Sequence, residues 1–100
     1  MSQLNQNQII NFLAANADSL VKFGILHIGL FGSFARNESN SESDIDILVE
    51  FIPNQKNFKN YMDLKIFLED NFNRKIDLVI KDSIKNRIKD QILSETIYAA

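Results

Sequence analysis

The segment SDIDILVEF, residues 43–51, limits how this chain can fold more than any other. It is a strand-like run of Ile, Leu and Val that opens with two carboxylates, Asp44 and Asp46, placed two residues apart. A second apolar run, KIDLVI at residues 75–80, carries Asp77. Continuous apolar runs are typical of strands that are buried on both faces. We therefore predict a sheet that contains both segments and is covered by helices.

The segments before and between these two predicted strands alternate between helical and strand patterns. Apolar residues spaced near 3.6 positions predict helices over residues 5–22 and over Phe58–Phe72. ILHIGLF, residues 25–31, is a short apolar run bounded by glycines and predicts the first strand. GSFAR, residues 32–36, then predicts a tight turn that opens into a brief helix.

A last helix is predicted to follow the third strand. Asp82 and Ser83 are its N-cap candidates. Its buried stripe is predicted to consist of Ile84, Ile88, Ile92 and Ile97. The predicted order, α-β-α-β-α-β-α, gives an α/β fold with a small mixed three-stranded sheet covered by helices.

Composition narrows the class of protein. One hundred residues with 45% hydrophobic content suit a single domain, residues 1–100. The net charge of −2 disfavours an extended nucleic acid as ligand. The sequence contains no cysteine, starts without a secretory signal pattern, and has no apolar run near the ~20 residues that span a membrane. We expect a cytoplasmic protein that does not insert in the membrane.

Asp44 and Asp46 are predicted to project from the same face of the second strand. Residues i and i+2 of a strand share a face and lie ~6.6 Å apart. Like charges this close raise each other's pKa unless a cation lies between them. If the second and third strands are neighbours, ~4.8 Å apart, Asp77 can join the pair. Three convergent carboxylates would suit two metal ions such as Mg²⁺ and in-line displacement at phosphorus.

Each aspartate taken alone also has a structural interpretation. Asp44 can be a strand-entry residue, and Asp46 can be the polar side of a half-exposed strand. Asp77 can pair with Arg74 or Lys75. The three acids together favour the metal site, because a charge inside an apolar run is costly unless it is paired or liganded.

The Gly32-Ser33 pair ends the first strand at a predicted helix start. Glycine allows a ligand to approach the backbone closely, and free N–H groups at a helix start attract phosphate. A Gly-Ser pair by itself is more often a plain turn. Its distance from the aspartates in the fold decides between the two interpretations.

From Gly32 to Phe51, GSFARNESNSESDIDILVEF resembles the signature of the nucleotidyltransferase superfamily related to DNA polymerase β. Gly-Ser follows the first strand, a loop intervenes, and Asp-x-Asp opens the second strand, with KIDLVI as the strand of the third acid. The chain is most similar to the minimal nucleotidyltransferases, which are short single-domain proteins. They include the MntA-type antitoxins of HEPN/MNT toxin–antitoxin systems.

The resemblance implies a nucleotide site at the turn. Gly32 and Ser33 would hold the triphosphate of a nucleoside triphosphate such as ATP, and Arg36 is a plausible phosphate contact because a guanidinium matches phosphate oxygens in pairs. Many relatives have glycine where Asn37 stands. Asparagine tolerates a left-handed backbone better than other non-glycine residues, so the turn can survive this departure.

The resemblance also implies the reaction. Asp44 and Asp46 would bind two Mg²⁺ ions, and Asp77 would bind one of them and lie beside the attacking hydroxyl of the acceptor. That hydroxyl would attack the α-phosphorus of ATP, transferring AMP and releasing pyrophosphate. The implied acceptor is a tyrosine of a partner HEPN ribonuclease, which the modification silences.

Two other functions stay open at this point. The chain can be a non-catalytic antitoxin that neutralises a HEPN partner by binding it. It can also transfer a nucleotide to a small molecule such as an aminoglycoside, although no acceptor domain is evident. The sequence does not decide whether the chain assembles with itself or with another chain.

Overall fold

The structure is a computed structural model that describes residues 4–99. Within this range helices and strands alternate, and a 3-10 turn at Lys81–Ser83 precedes the last helix. The helices are α1 (Gln6–Ala15), α2 (Ala17–Lys22), α3 (Gly32–Ala35), α4 (Phe58–Phe72) and α5 (Asn86–Glu95). The strands are β1 (Ile25–Phe31), β2 (Ile45–Phe51), β3 (Ile76–Ile80) and β4 (Ile97–Tyr98).

The four strands form one mixed sheet in the order β3-β2-β1-β4. β2 pairs with β1 in antiparallel orientation and with β3 in parallel orientation. The parallel pair is joined by α4, as the crossover between parallel strands requires. The α/β fold with a mixed sheet is confirmed, and β2 and β3 are neighbours, which is the condition under which Asp77 can approach the other acids.

Helices cover both faces of the sheet. On one face α1, α2 and α4 bury Leu13, Leu20 and Leu64 against alternate residues of the strands. On the other face Leu48 of β2 packs with Phe31 and with the apolar side of α5. Residues 47–49 of β2 are all buried, so the prediction of a strand buried on both faces is confirmed there. Among residues 4–99 no helix is long and apolar enough to cross a membrane.

The predicted first helix is in fact two helices. A capping box starts α1, in which the Asn5 side chain accepts from the Gln8 N–H at 2.9 Å and the Gln8 side chain accepts from the Asn5 N–H. The helix stops at Asn16, whose side-chain amide donates to the carbonyl of Phe12 at 2.8 Å. Asparagine favours such local bonds over helix continuation.

The end of the chain corrects the prediction of three strands. Residues 81–83 form the 3-10 turn, α5 begins at Asn86, and Ile88 is 42% exposed rather than part of a buried stripe. Thr96 ends the helix, with its hydroxyl donating to the Ile92 carbonyl at 2.6 Å. Ile97 then belongs to β4 and pairs with Leu30 of β1. The β-branched and aromatic residues of TIY favour a strand.

Gly29 allows this fourth strand to approach β1. A Cβ atom at residue 29 would lie 3.1 Å from the Ile97 carbonyl oxygen and 2.5 Å from a methyl group of Thr96. Any larger residue would push β4 away from the sheet. The position of α5, which leads into β4, therefore depends on a glycine in the middle of β1.

Candidate active site

Two of the three predicted acids are neighbours across the parallel pair of strands. Asp46 of β2 and Asp77 of β3 are register partners. In-register residues of adjacent strands, ~4.8 Å apart, project from the same face of a sheet. The Asp46 side chain is half-buried and Asp77 is exposed. The two carboxylates thus meet at one end of the sheet, with one of them at the solvent edge.

The electrostatics of Asp46 reflect this pairing. The pKa of Asp46 rises from 3.8 to about 6, chiefly because of burial, and then because of the charge of Asp77, a hydrogen bond with Asp77 and the charge of Asp44. Arg36 acts in the opposite direction and lowers the pKa. Two carboxylates in such a pair ionise together only at a cost, which a proton or a cation between them would remove.

Asp44 lies just before β2 and is exposed. Its charge reaches Asp46, but the part of the chain that the structure describes contains no group of three or more His, Cys, Asp or Glu side chains that could hold a metal ion. The structure therefore brings Asp46 and Asp77 together and leaves Asp44 at the strand entrance. Metal binding by the three acids stays a prediction.

Arg74 anchors the loop that carries Asp44. Its guanidinium donates to the carbonyls of Asn40 and Ser43, at 3.0 Å each, and lies over the ring of Phe34 at 5.3 Å from the ring centroid. Sequence reasoning considered Arg74 as an ion-pair partner of Asp77. Its contacts with the loop instead give it a structural role, because they hold the entrance of β2 against α3.

The predicted turn at Gly32 lies against Asp46. Phe31, the last residue of β1, is the register partner of Asp46, so residue 32 follows directly beside the carboxylate. Gly32 has φ +75°, and a Cβ atom there would collide with the Asp46 side chain, 2.8 Å from its Cγ. Only glycine fits this position without strain. Ser33, next in the chain, is partly exposed.

Asn37 adopts the left-handed backbone conformation, which asparagine tolerates. Its φ is +59°, in the left-handed region, and the Glu38 N–H donates to the Ser33 carbonyl at 2.8 Å across the turn. Asparagine is among the few non-glycine residues that accept this conformation. The departure from glycine at residue 37 thus leaves the turn closed.

Arg36 lies beside the site and is held by two carboxylates. Its Nε donates to Glu38 at 2.7 Å and a terminal nitrogen donates to Glu95 at 3.0 Å. Hydrogen bonds to Glu38 and then to Glu95 raise the pKa of Arg36 above its ordinary value. The guanidinium is close enough to influence Asp46, so the structure brings the predicted phosphate contact to the same region as the acids.

Glu95 is a residue that sequence reasoning missed. From the end of α5 its carboxylate accepts both the Arg36 bond and the backbone N–H of Gly32, the latter at 3.1 Å across 63 residues of sequence. One signal was available. A carboxylate in the last turn of a helix opposes the helix dipole, so its presence there suggests a partner outside the helix.

An open cavity of about 580 Å³ lies along residues 78–80 of β3 and the start of α4. It is lined mainly by apolar side chains, among them Tyr61, Leu78 and the exposed Phe58. Asp77 directly precedes Leu78, but the predicted site residues do not line this cavity. The candidate chemistry therefore lies at the end of the strands and outside the cavity.

A family model described as the nucleotidyltransferase domain matches residues 12–99. The chain belongs to the nucleotidyltransferase family. The match includes the Gly32 turn and all three acids, so the resemblance predicted from the sequence is confirmed.

Individual nucleotidyltransferases agree with this assignment. The protein adenylyltransferase MntA of Thermococcus cleftensis is 38% identical over 101 residues, which cover 98% of this chain and 99% of that protein. A solved structure of a proposed minimal nucleotidyltransferase is 27% identical, with a TM-score of 0.82 and coverage of 97% of this chain and 98% of that one.

A further neighbour is a chain in the crystal structure of a toxin–antitoxin with AMP-PNP. It is 26% identical, with a TM-score of 0.69, and the match covers 97% of this chain and 73% of that one. The fold of a minimal nucleotidyltransferase is thereby confirmed for this chain, with four strands in place of the predicted three.

Proposed function

We propose that this nucleotidyltransferase is a metal-dependent protein adenylyltransferase, a single domain over residues 1–100 that acts as the antitoxin of a HEPN ribonuclease toxin. The observation that carries the proposal is the register that sets Asp46 beside Asp77 and next to Gly32. It is supported by the 38% identity with MntA along nearly its whole length and by the likeness to a toxin–antitoxin chain. The proposal includes the cytoplasmic location that the sequence led us to expect.

The acid pair suits Mg²⁺ in its chemistry. Hard oxygen ligands are those that Mg²⁺ prefers, usually one or two carboxylates together with waters and phosphate oxygens. Asp46 and Asp77 would hold the metal, with Asp44 at the entrance as a further ligand when two ions are present. When bound, Mg²⁺ neutralises charge on the phosphate oxygens during displacement at phosphorus.

The residues of the chain would position the reactants. The Gly32 N–H and the Ser33 hydroxyl donate to the triphosphate of ATP, and Arg36 contacts a phosphate oxygen. Asp77, exposed at the edge of the sheet, lies beside the acceptor hydroxyl and receives its proton. The tyrosine oxygen forms a bond to the α-phosphorus, the bond from that phosphorus to the bridging oxygen breaks, and pyrophosphate leaves with AMP attached to the toxin.

Transfer of label tests the proposal. The chain is incubated with Mg²⁺, ATP labelled at the α-phosphate and the HEPN protein encoded beside it, and label on that protein is located by peptide mapping. We expect label on a tyrosine, lost with Asp46→Asn and retained with Asp70→Asn, an exposed acid of α4 that serves as a matched control.

The outcomes separate the alternatives. If the HEPN protein binds tightly and is inhibited without acquiring label from any nucleoside triphosphate, and if Asp46→Asn still inhibits it, the chain is a masking antitoxin. Label on an added aminoglycoside with none on the HEPN protein would instead assign a small-molecule acceptor.

A further inference from the structure

Glu95 accepts hydrogen bonds from two of the three groups that the proposed function assigns to phosphate binding, the Gly32 N–H and Arg36. One oxygen of its carboxylate accepts the Gly32 N–H at 3.1 Å, and the other accepts from Arg36 at 3.0 Å. The Glu95 side chain is 21% exposed, and its bond with the Gly32 N–H is partly buried, whereas its bond with Arg36 is exposed. Through its bond with the Gly32 N–H, the carboxylate connects the end of α5 to the turn.

A carboxylate and a phosphate make the same demands on these donors. Both are anions with closely spaced oxygen acceptors, and both form charge-assisted bonds with a guanidinium and with backbone N–H groups. The Gly32 N–H carries a single hydrogen and cannot point at two anions. A triphosphate that uses this N–H must take it from Glu95.

We propose that Glu95 is an internal competitor for the nucleotide, which binds after the carboxylate has left the Gly32 N–H. The inference rests on the proposed function and adds to it a residue that sets nucleotide affinity. Arg36 keeps its second bond, with Glu38 at 2.7 Å, so it stays in place when Glu95 departs. The exchange therefore requires movement of one side chain at the end of α5.

Competition lowers the apparent affinity by the fraction of molecules in which the site is open. Replacing Glu95 with glutamine removes the charge and keeps the size of the side chain. We expect Glu95→Gln to bind α,β-methylene-ATP with Mg²⁺ about three- to tenfold more tightly than the original chain. Inorganic tripolyphosphate with Mg²⁺ should show the same gain, because the competition concerns phosphate and not the base.

Calorimetric titration measures both ligands, and the Gly32 amide signal in a two-dimensional NMR spectrum shows whether the ligand reaches the turn. Asp90→Asn is the matched control, since Asp90 is an exposed acid of the same helix, α5. Its affinity should lie within about twofold of the original chain. If Glu95→Gln does not fold, Glu95→Asp keeps the charge on a shorter side chain and should also bind more tightly.

The result has three forms. Tighter binding by the Glu95 variants, with the Gly32 signal shifting, supports the competitor. Equal or weaker binding, with the same shift of the Gly32 signal, overturns it, shows that Glu95 supports the turn, and leaves the proposed function standing. Absence of binding by the original chain and by every variant overturns the proposed function and the competitor together.

Discussion

The two halves of the site treat charge in opposite ways. On the strands, which form the acid half, burial and then the charge of Asp77 raise the pKa of Asp46 to about 6. At the turn, the Gly32 N–H and Arg36 are already bonded to the carboxylate of Glu95. A cation would relieve the repulsion in the acid half, whereas the donor half already binds an anion, the Glu95 carboxylate. MgATP, which brings both charges together, would relieve the first half and displace the anion of the second.

The largest effect on activity is expected from a substitution in the acid half of the site. Asp46→Asn should lower the rate of AMP transfer about 100-fold or more, because it removes charge where a metal and the phosphates would meet. Initial rates of label transfer measure the effect, with Asp70→Asn as the control at an exposed site. Retention of more than a tenth of the original rate would contradict a catalytic role for Asp46.

The next largest effect is a loss of stability at Gly32, where the turn contacts the Asp46 side chain. Gly32→Ala places a methyl group against the Asp46 carboxylate and forces a non-glycine residue to φ +75°. We expect the free energy of unfolding to fall by about 2–3 kcal/mol, from backbone strain and overpacking together. Urea unfolding measures it, and Ser33→Ala in the same turn should change it by less than about 0.5 kcal/mol. Equal losses in the two variants would show that the close contact at Gly32 is unimportant.

Stabilisation by Mg²⁺ tests the difference between the two halves of the site, because we expect the ion to bind only to the acid half. A metal at ten times its dissociation constant stabilises the folded chain by about 1.4 kcal/mol. We expect the melting temperature of the original chain to rise with Mg²⁺ at pH 7, and we expect no rise for Asp46→Asn or Asp77→Asn. Glu38→Gln, which alters the donor half, should respond as the original chain does. An equal rise in all the variants would place the metal elsewhere.

The smallest effect is a pH dependence of stability. The pKa of Asp46 is higher in the folded chain, about 6, than its ordinary value of 3.8, so the folded state binds its proton more tightly. Stability from this group is fully present below pH 3.8 and is lost as the pH rises through 6. Without metal, Asp46→Asn should therefore be more stable than the original chain by about 1 kcal/mol at pH 7.5, after allowance for solvent screening, and equal to it near pH 3.5. Unfolding curves at the two pH values check the difference, which must shrink in acid.

Sequence reasoning was most successful for the acids and the turn. The positions of Asp46 and Asp77 within apolar runs predicted strands, and the condition that these strands are neighbours, which the structure meets, places the two side chains on one face. The conformation of Asn37 followed from the tolerance of asparagine for positive φ. These features depend on local geometry and on nearest neighbours in the sheet, which the pattern of residues reveals.

The missed features depend on contacts between distant segments. Glu95 meets Gly32 across 63 residues, and no periodic pattern specifies that meeting. The fourth strand was missed because its two residues, Ile97 and Tyr98, also fit a helical stripe, and only the pairing with Gly29 and Leu30 decides between the two. The break at Asn16 depends on one side-chain hydrogen bond, whose strength relative to the helix cannot be read from spacing.

The parallel pairing of β2 and β3 has a practical consequence for engineering. Asp46 and Asp77 lie side by side because they are register partners in the parallel pair. The segment that joins the two strands includes an exposed stretch, residues 53–57, before α4. Loop length has little effect on closure entropy, so a short peptide inserted there should leave the acid pair intact. The same stretch is thus a suitable place for a fluorescent reporter, whereas an insertion of one residue within either strand would turn the aspartates to opposite faces.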